Sequence, residues 1–350
     1  MDLEEPRSEN RATCTMIQSV IERPKPHVGE IIIYGLLILL LMTGTYWRNR
    51  VWNSELELWT DCVKKSPNKD RPHNNVGRAF FDQDKYQEAT DQYNEALRIN
   101  PNNADAHNNL GNVFLNQGNY QEAINQFNEA LRINPNYAEV HNNLGNVFFQ
   151  QGNYQEATHQ YNEALWTSPN FAEAYYNLGK VFLNQGNYKE AINQFNEALR
   201  INPNFAGAHN NLGNVFFYQG NYQEATHQFN EALRLNPNNA EAHNNLGFVF
   251  LNQGKCREAI NQFNEALRIS PNFAGAHNNL GNVFFHQGKY QEAVDQYREA
   301  LRINPNFAGA HINLGNTYLM IGNRDLALKE YEILKTMNPG MANALYQKIK

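Results

Sequence analysis

Cysteine is scarce in this chain, which has three cysteines in 350 residues: Cys14, Cys62 and Cys256. Their wide and irregular separation matches neither a metal-ligand spacing nor a redox motif, so we expect no disulfide framework. An excess of basic charge is also missing, because 29 Lys and Arg oppose 35 Asp and Glu and give a net charge of −6. Without a basic patch to contact phosphates, we expect no nucleic-acid partner.

Motifs that carry catalysis are missing as well. The sequence has no glycine-rich phosphate loop, no nucleophile motif and no convincing pair of catalytic carboxylates. We therefore expect a chain that is not an enzyme and that needs no cofactor and no metal.

Proline is sparse too, with 13 residues, but most of it is periodic. A fixed period of this length is typical of a solenoid built from stacked supersecondary units. Nine prolines follow one another at intervals of 34 residues: Pro67, Pro101, Pro135, Pro169, Pro203, Pro237, Pro271, Pro305 and Pro339.

One repeat shows what each unit is. Leu110 and Phe114 lie at helical spacing, Gly118 interrupts the pattern, and Ala123 and Phe127 resume it before the next proline. This predicts two short amphipathic helices, with a glycine suited to a left-handed C-cap between them. The fold class is therefore all-α.

A second glycine lies inside each first helix, where it costs roughly 1 kcal/mol relative to alanine. Its recurrence predicts close approach of the paired helix, with the small Ala123 and its equivalents as the contact. The positions are Gly77, Gly111, Gly145, Gly179, Gly213, Gly247, Gly281 and Gly315.

This pattern resembles the tetratricopeptide repeat, a 34-residue helix–turn–helix unit. The resemblance covers eight repeats over residues 70–341 and implies a right-handed α-α superhelix, with a capping helix at 342–350. One departure is systematic, since histidine replaces the family's usual tryptophan at His73, His107, His141, His209, His243, His277 and His311. Equivalent positions in stacked helices lie at least about 8–10 Å apart, whereas zinc ligands converge at about 2 Å. We interpret these histidines as half-buried structural rings.

A long apolar run precedes the repeats. Ile31–Trp47 contains no charged residue and is rich in isoleucine and leucine. Seventeen helical residues rise about 26 Å, close to the bilayer core of about 30 Å, which predicts a transmembrane helix over 28–47. The alternative is a buried helix of a soluble protein. A polar N-terminal segment, 1–27, is predicted to be disordered, and a single-pass membrane protein is expected.

Residues 48–69 are predicted to hold a juxtamembrane half-repeat, because Ser54–Lys65 aligns with the second helix of a repeat. The stretch 45–77 resembles the boundary between membrane helices and repeats in polytopic glycosyltransferase-like proteins with tetratricopeptide tails. The resemblance implies an alternative function: the substrate-recognition tail of a protein O-glycosyltransferase-type membrane enzyme, in a glycosylation or membrane assembly complex. The family's multi-span catalytic part is missing before this stretch, so no catalytic residue is carried over.

An asparagine precedes the Leu-Gly pair of the first helices, with Val-Gly in the first repeat. In the family, the first helices line a concave groove, and an amide can pair with a peptide backbone through one acceptor and two donors. The pattern predicts a polypeptide-binding ladder; the alternative is a neutral residue copied by duplication. The ladder comprises Asn75, Asn109, Asn143, Asn177, Asn211, Asn245, Asn279 and Asn313.

Three substitutions interrupt the asparagine-rich groove positions. Tyr176 and Lys180 stand one helical turn apart in the fourth repeat, and Phe248 lies in the sixth. Aromatic side chains and a cation are typical of a local binding anchor, although drift of surface residues explains them equally well. The predicted function is a membrane-anchored scaffold or adaptor for protein or peptide ligands, with a passive spacer as a third interpretation.

Overall fold

The structure is a computed structural model that describes residues 28–50 and 54–350. The segment predicted for 1–27 lies outside these residues. Every element of the described part is an α-helix, so the all-α prediction is confirmed there. The chain forms two units, residues 1–113 and 114–350.

The helices follow one another at nearly constant length. They are α1 Val28–Arg50, α2 Glu55–Lys65, α3 Asp70–Phe81, α4 Tyr86–Ile99, α5 Ala104–Asn116, α6 Tyr120–Ile133, α7 Ala138–Gln150, α8 Tyr154–Thr167, α9 Ala172–Asn184, α10 Tyr188–Ile201, α11 Ala206–Tyr218, α12 Tyr222–Leu235, α13 Ala240–Asn252, α14 Cys256–Ile269, α15 Ala274–His286, α16 Tyr290–Ile303, α17 Ala308–Met320, α18 Arg324–Met337 and α19 Pro339–Ile349. From α3 onwards these are the predicted pairs of a first and a second helix, followed by α19.

Helix α1 differs from the other described helices in the exposure of its apolar side chains. Its apolar side chains between 32 and 46 are exposed, as at Leu40, which has 69% of its surface accessible. Among the described residues, no helix combines the length and the apolar character that crossing a bilayer requires. The predicted transmembrane helix over 28–47 therefore finds no support.

Helix α2 begins where the sequence predicted a second helix. Ser54 is its N-cap, and the Ser54 hydroxyl oxygen accepts a hydrogen bond from the backbone N–H of Glu57 at 3.2 Å. This satisfies one of the unpaired donors at the helix start. Helix α2 packs against α3 within the first unit.

The core of the second unit is formed where each helix pair meets the next. Ala157 and Tyr161 of α8 are buried against Leu178 and Val181 of α9. The same set recurs at later junctions, so each repeat buries one face against its own partner helix and another against its neighbour. Such stacking produces a solenoid whose repeats contact only their neighbours.

The glycine of the turn and the glycine inside the first helix have different structural roles. Gly152 ends α7 with φ 73°, the left-handed conformation predicted for the turn, and Asp84 with φ 58° takes that place in the first repeat. Inside the first helix, a Cβ on Gly179 would lie 2.6 Å from Cε1 of Phe195. The nearest atoms are therefore those of an aromatic ring, and not those of the alanine that the sequence predicted. The ring occupies the space that a side chain at this position would need.

Asp70 connects the start of α3 to the turn after α4. Its Oδ2 accepts hydrogen bonds from the side-chain amides of Asn100 at 2.7 Å and Asn103 at 2.9 Å. The Asn100 bond is the largest cause that holds the pKa of Asp70 below its usual value. A depressed carboxyl pKa stabilises the fold above the unfolded-state pKa, and this contribution is lost as the pH falls through the folded-state pKa.

We therefore expect Asp70→Asn to lower the free energy of unfolding of the first unit at neutral pH and to have little effect in acid. Urea unfolding at both pH values measures this difference. Asp82→Asn, at an exposed position, is the matched control. An equal loss at neutral and acid pH would contradict the electrostatic explanation.

Candidate functional site

The first helices of successive repeats lie side by side in the second unit. Helix α9 contacts α7 and α11, and α15 contacts α13 and α17, whereas no such contact joins the second helices that the structure describes in this unit. We call the surface formed by α7, α9, α11, α13, α15 and α17 the first-helix face. The predicted asparagines from Asn143 to Asn313 lie on these helices.

The ladder asparagines are joined to one another through an interaction that the sequence analysis missed. In most repeats the side-chain amide donates a hydrogen bond to a side chain 35 residues earlier, on the preceding first helix. The Nδ2 donors and Oδ1 acceptors are Asn109 and Asn74, Asn177 and Asn142, Asn279 and Asn244, and Asn313 and Asn278, each pair at 3.0 Å. We call this series the asparagine relay.

The relay takes a different form in two neighbouring repeats. Asn211 donates to the hydroxyl oxygen of Tyr176 at 3.0 Å, and Asn245 donates to Oδ1 of Asn214 at 3.1 Å. The buried Oδ1 of Asn210, which a ladder asparagine would otherwise reach, has no hydrogen-bond partner. The joint between the fifth and sixth repeats therefore differs from the others.

Most ladder residues remain partly accessible. Asn75, Asn143 and Asn211 are half-buried at equivalent positions, and Asn177 is 9% exposed. A relay bond uses one of the two amide protons, so the second proton and further acceptor capacity remain on such a side chain.

Tyr176 and Lys180 come together on α9. The Lys180 ammonium lies 4.9 Å from the ring centroid of Phe149 and 5.5 Å from that of Tyr176. Burial lowers the pKa of Lys180 because the charged form loses hydration. The Tyr176 ring packs against Phe205 with centroids 4.7 Å apart, so it is part of the packing as well as of the surface.

Phe248 is not part of this group. It lies in the sixth repeat, two repeats beyond Tyr176 and Lys180, and its ring is 5.2 Å from that of Phe217 in the fifth. Phe248 packs partly buried against the core between α14 and α15. The three predicted anchors therefore form one pair and one separate packing residue.

Two pockets open on the first-helix face. One, of about 410 Å³, includes Lys180, Phe149 and neighbouring amide side chains. The other, of about 540 Å³, lies at the C-terminal end and includes Lys348 of α19. Both volumes are in the range of small-ligand sites.

The repeated histidines are engaged within their own repeats. In the third repeat, Nδ1 of His141 lies 2.8 Å from Oε1 of Gln160, and Nε2 lies 3.3 Å from the carbonyl oxygen of Pro135. The last repeat replaces the glutamine with Glu330, 2.6 Å from His311. His141 and His311 thus each join the two helices of their repeat and the preceding turn. In the part of the chain that is described, no cluster of ligand-type side chains could hold a metal ion.

Comparison with solved structures shows the shared fold. The chain is similar to the crystal structure of the APC/C hetero-tetramer Cut9-Hcn1, with a TM-score of 0.63 and 20% identity over 82% of this chain and 56% of that chain. It therefore spans little more than half of that chain's length. A Pseudomonas aeruginosa PilF structure matches with a TM-score of 0.54 and 25% identity over 61% of this chain and 97% of that chain. YrrB, described as a TPR protein with an unusual peptide-binding site, matches with a TM-score of 0.43 and 28% identity over 53% of this chain and 95% of that chain.

The family model for the TPR repeat matches in seven overlapping segments that extend from 77 to 322, which is well over half of the chain. The segments are 77–118, 111–152, 145–186, 181–220, 213–254, 249–288 and 281–322. No curated protein matches the chain. The protein belongs to the TPR repeat family.

Proposed function

We propose that this protein is a non-catalytic TPR scaffold that binds polypeptide partners on its first-helix face. The observation that carries the proposal is the asparagine relay. Each relay bond fixes the orientation of an amide on the surface, and an amide that donates a single bond keeps one proton and acceptor capacity for a ligand. Asn313 is the exception, because its amide donates to both Asn278 and Asn282. A side chain that is already ordered loses less conformational entropy when it binds a ligand.

The ligand that suits such a surface is an extended polypeptide. Its backbone offers a donor and an acceptor at every residue, and a row of amides can bind both without reading the side chains. The relay bonds also join successive first helices, so the asparagines contribute to the stability of the fold as well as to the proposed binding. The experiment therefore has to distinguish a loss of binding from a loss of folding.

We expect partner capture to be lost when Asn143, Asn177, Asn211 and Asn245 are all replaced by alanine. Pull-down by the purified chain, at a temperature where circular dichroism shows the variant to be folded, measures the effect. The matched control replaces four exposed asparagines of the second helices, Asn128, Asn162, Asn196 and Asn230, and is expected to capture partners normally. Undiminished capture by the folded ladder variant would refute the proposal.

We also propose that α1 attaches the chain to a membrane. The proposal is supported by the unusual exposure of its apolar side chains between 32 and 46, since an apolar surface of this extent is favourable only when it is removed from water. Vesicle flotation is expected to carry the intact chain upward and to leave behind a variant with Leu36, Leu37, Leu40 and Leu41 replaced by serine. Equal flotation of both proteins would rule out α1 as the attachment.

The glycosyltransferase-tail alternative depends on the resemblance over 45–77 alone. Immunoblotting of the native polypeptide with an antibody to the repeats tests it. A mass near that of the 350 residues favours the scaffold, and a much larger mass favours the tail of a polytopic enzyme.

A further inference from the structure

The turn between α2 and α3 is basic. Four cations lie within eight residues, and all four are exposed: Lys64, Lys65, Lys69 and Arg71. The chain as a whole carries a net charge of −6, so this turn is a local exception to the expectation that the sequence contains no basic patch. We call residues 64–71 the basic turn. It belongs to the first unit, as α1 does.

The equivalent turns between later repeats do not carry this charge. One period further along the chain, the positions of Lys65, Lys69 and Arg71 hold an isoleucine, an asparagine and an aspartate. In the six turns between repeats that follow, these three positions again hold no basic residue, and the last of them is always glutamate or glycine. Copying of the repeat therefore does not account for the cations, which are particular to the turn that follows α1 and α2.

The pairing of charges at the end of α2 also differs from that in later repeats. There the arginine near the end of the second helix pairs with a glutamate three residues earlier, as Arg98 does with Glu95 at 2.7 Å. In α2 the corresponding carboxylate, that of Asp61, pairs with Lys65 instead. Lys64, which stands at the position of Arg98, forms no ion pair with a described residue.

The carboxylate inside the basic turn is hydrogen-bonded to the next turn. Asp70 is half-buried, and its Oδ2 accepts bonds from the amides of Asn100 and Asn103. Lys69 and Arg71, on either side of it, are exposed and form no ion pair with a described residue. Three cations of the turn, at 64, 69 and 71, therefore remain available to an anionic partner.

The composition of the basic turn favours lipid headgroups over nucleic acid. Proteins that bind single-stranded nucleic acid combine cations with aromatic side chains on which the bases stack. No aromatic residue lies within 64–71. Clusters of lysine and arginine beside a membrane-attached helix are attracted to acidic phospholipids through charge alone, without a shaped site.

The chain keeps the basic turn near α1. Helix α1 ends at Arg50 and α2 begins at Glu55. The 11 residues of α2 rise about 17 Å, whereas exposed charges attract one another over about 10 Å at 0.1 M salt. With α1 bound to a bilayer, the turn comes within this distance of the lipid headgroups when α2 lies along the surface, and not when α2 stands upright.

We propose that the basic turn binds the headgroups of anionic phospholipids and so holds α2 along the surface of the membrane to which α1 attaches. The inference rests on the proposed attachment by α1, and it adds a lipid class and a second contact. A second contact with the same bilayer acts at a high effective concentration once the first has formed.

The test measures binding of the purified full chain to vesicles of phosphatidylcholine alone and to vesicles of an equimolar mixture with phosphatidylserine. The variant replaces Lys64, Lys69 and Arg71 with glutamine. The matched control removes the same number of charges at exposed positions of the second unit: Lys189→Gln, Arg257→Gln and Lys329→Gln. Circular dichroism checks that each chain is folded. Fluorescent single-stranded DNA is the alternative polyanion.

Each basic residue beside an anionic bilayer strengthens binding by about fivefold. We expect the parent chain to prefer the mixed vesicles by at least about tenfold at low salt, since the acidic remainder of the chain opposes part of the attraction. The variant should lose most of this preference and bind phosphatidylcholine as the parent does. The control should keep the preference, and high salt should abolish it in the parent.

Equal binding of the parent chain to both kinds of vesicle would overturn this inference and leave attachment by α1 standing. Binding to neither kind would overturn both. A preference that the control loses as fully as the variant would reveal an effect of net charge and refute the assignment to the basic turn. Binding of the DNA without any preference for the mixed vesicles would assign the turn to nucleic acid instead.

Discussion

Replacing Gly179 with alanine is expected to destabilise the second unit by about 1–3 kcal/mol, the usual cost of overpacking a core. On helix propensity alone the change would be favourable by roughly 1 kcal/mol. The added Cβ, however, would lie 2.6 Å from Cε1 and 2.8 Å from Cδ1 of Phe195. Phe195 is fully buried, so its ring can move away only by displacing other core side chains.

Urea unfolding of the parent and variant chains measures this loss. Gly207→Ala is the matched control, because the nearest atoms to a Cβ there are 3.4 Å away, an ordinary contact, and the same substitution should be neutral or slightly stabilising. A second variant that combines Gly179→Ala with Phe195→Leu should recover part of the loss by removing the ring. If Gly179→Ala were as stable as the parent, the close approach of ring and backbone would be refuted.

The glycine prediction shows which structural features can be predicted from the sequence period and which cannot. The 34-residue period and the helical spacing identified the helix pairs, and the cost of a mid-helix glycine identified a close approach. The sequence period does not specify the angle at which two helices cross or the rotamer of an aromatic side chain. For that reason the sequence analysis chose Ala123 and its equivalents, whereas the contact at Gly179 is made by Phe195.

For the candidate site, the sequence analysis selected residues, and the structure adds the contacts between them. The row of asparagines was noticed because the same residue recurs at one position of every repeat. The pair Tyr176 and Lys180 was noticed because both replace the residue that most other repeats carry. The hydrogen bond from Asn177 to Asn142 joins residues 35 apart, one more than the period, so comparing equivalent positions could not find it. The doublet of asparagines in six of the eight first helices was the available signal.

The hydrogen bonds that line the pockets could not be predicted from the sequence. In sequence, Asn146 and Gln150 are ordinary polar residues, and only the structure shows that the hydroxyls of Tyr161 and Tyr120 donate to their side-chain oxygens. The contribution of Lys348 was equally inaccessible, since its approach to Asn316 depends on how α19 docks on the last repeat.

That docking leads to the second large effect: Leu345→Ala is expected to destabilise the C-terminal end of the second unit by about 2–5 kcal/mol. Leu345 is fully buried and belongs to the same core cluster as Leu314, Tyr318 and Leu334. The Cδ2 atom of Leu345 would lie 2.6 Å from a Cβ on Gly315, so truncation leaves a cavity that the rigid helix backbones cannot close. A terminal helix protects the apolar face that the last repeat cannot bury against a neighbour.

Hydrogen exchange and urea unfolding measure the loss, with Gln347→Ala at an exposed position of α19 as the control. The variant should show faster exchange in α17, α18 and α19, while α7 to α10 should exchange at the parent rate, because stability in a solenoid is passed only between neighbours. Exchange that accelerates throughout the second unit would contradict this local description.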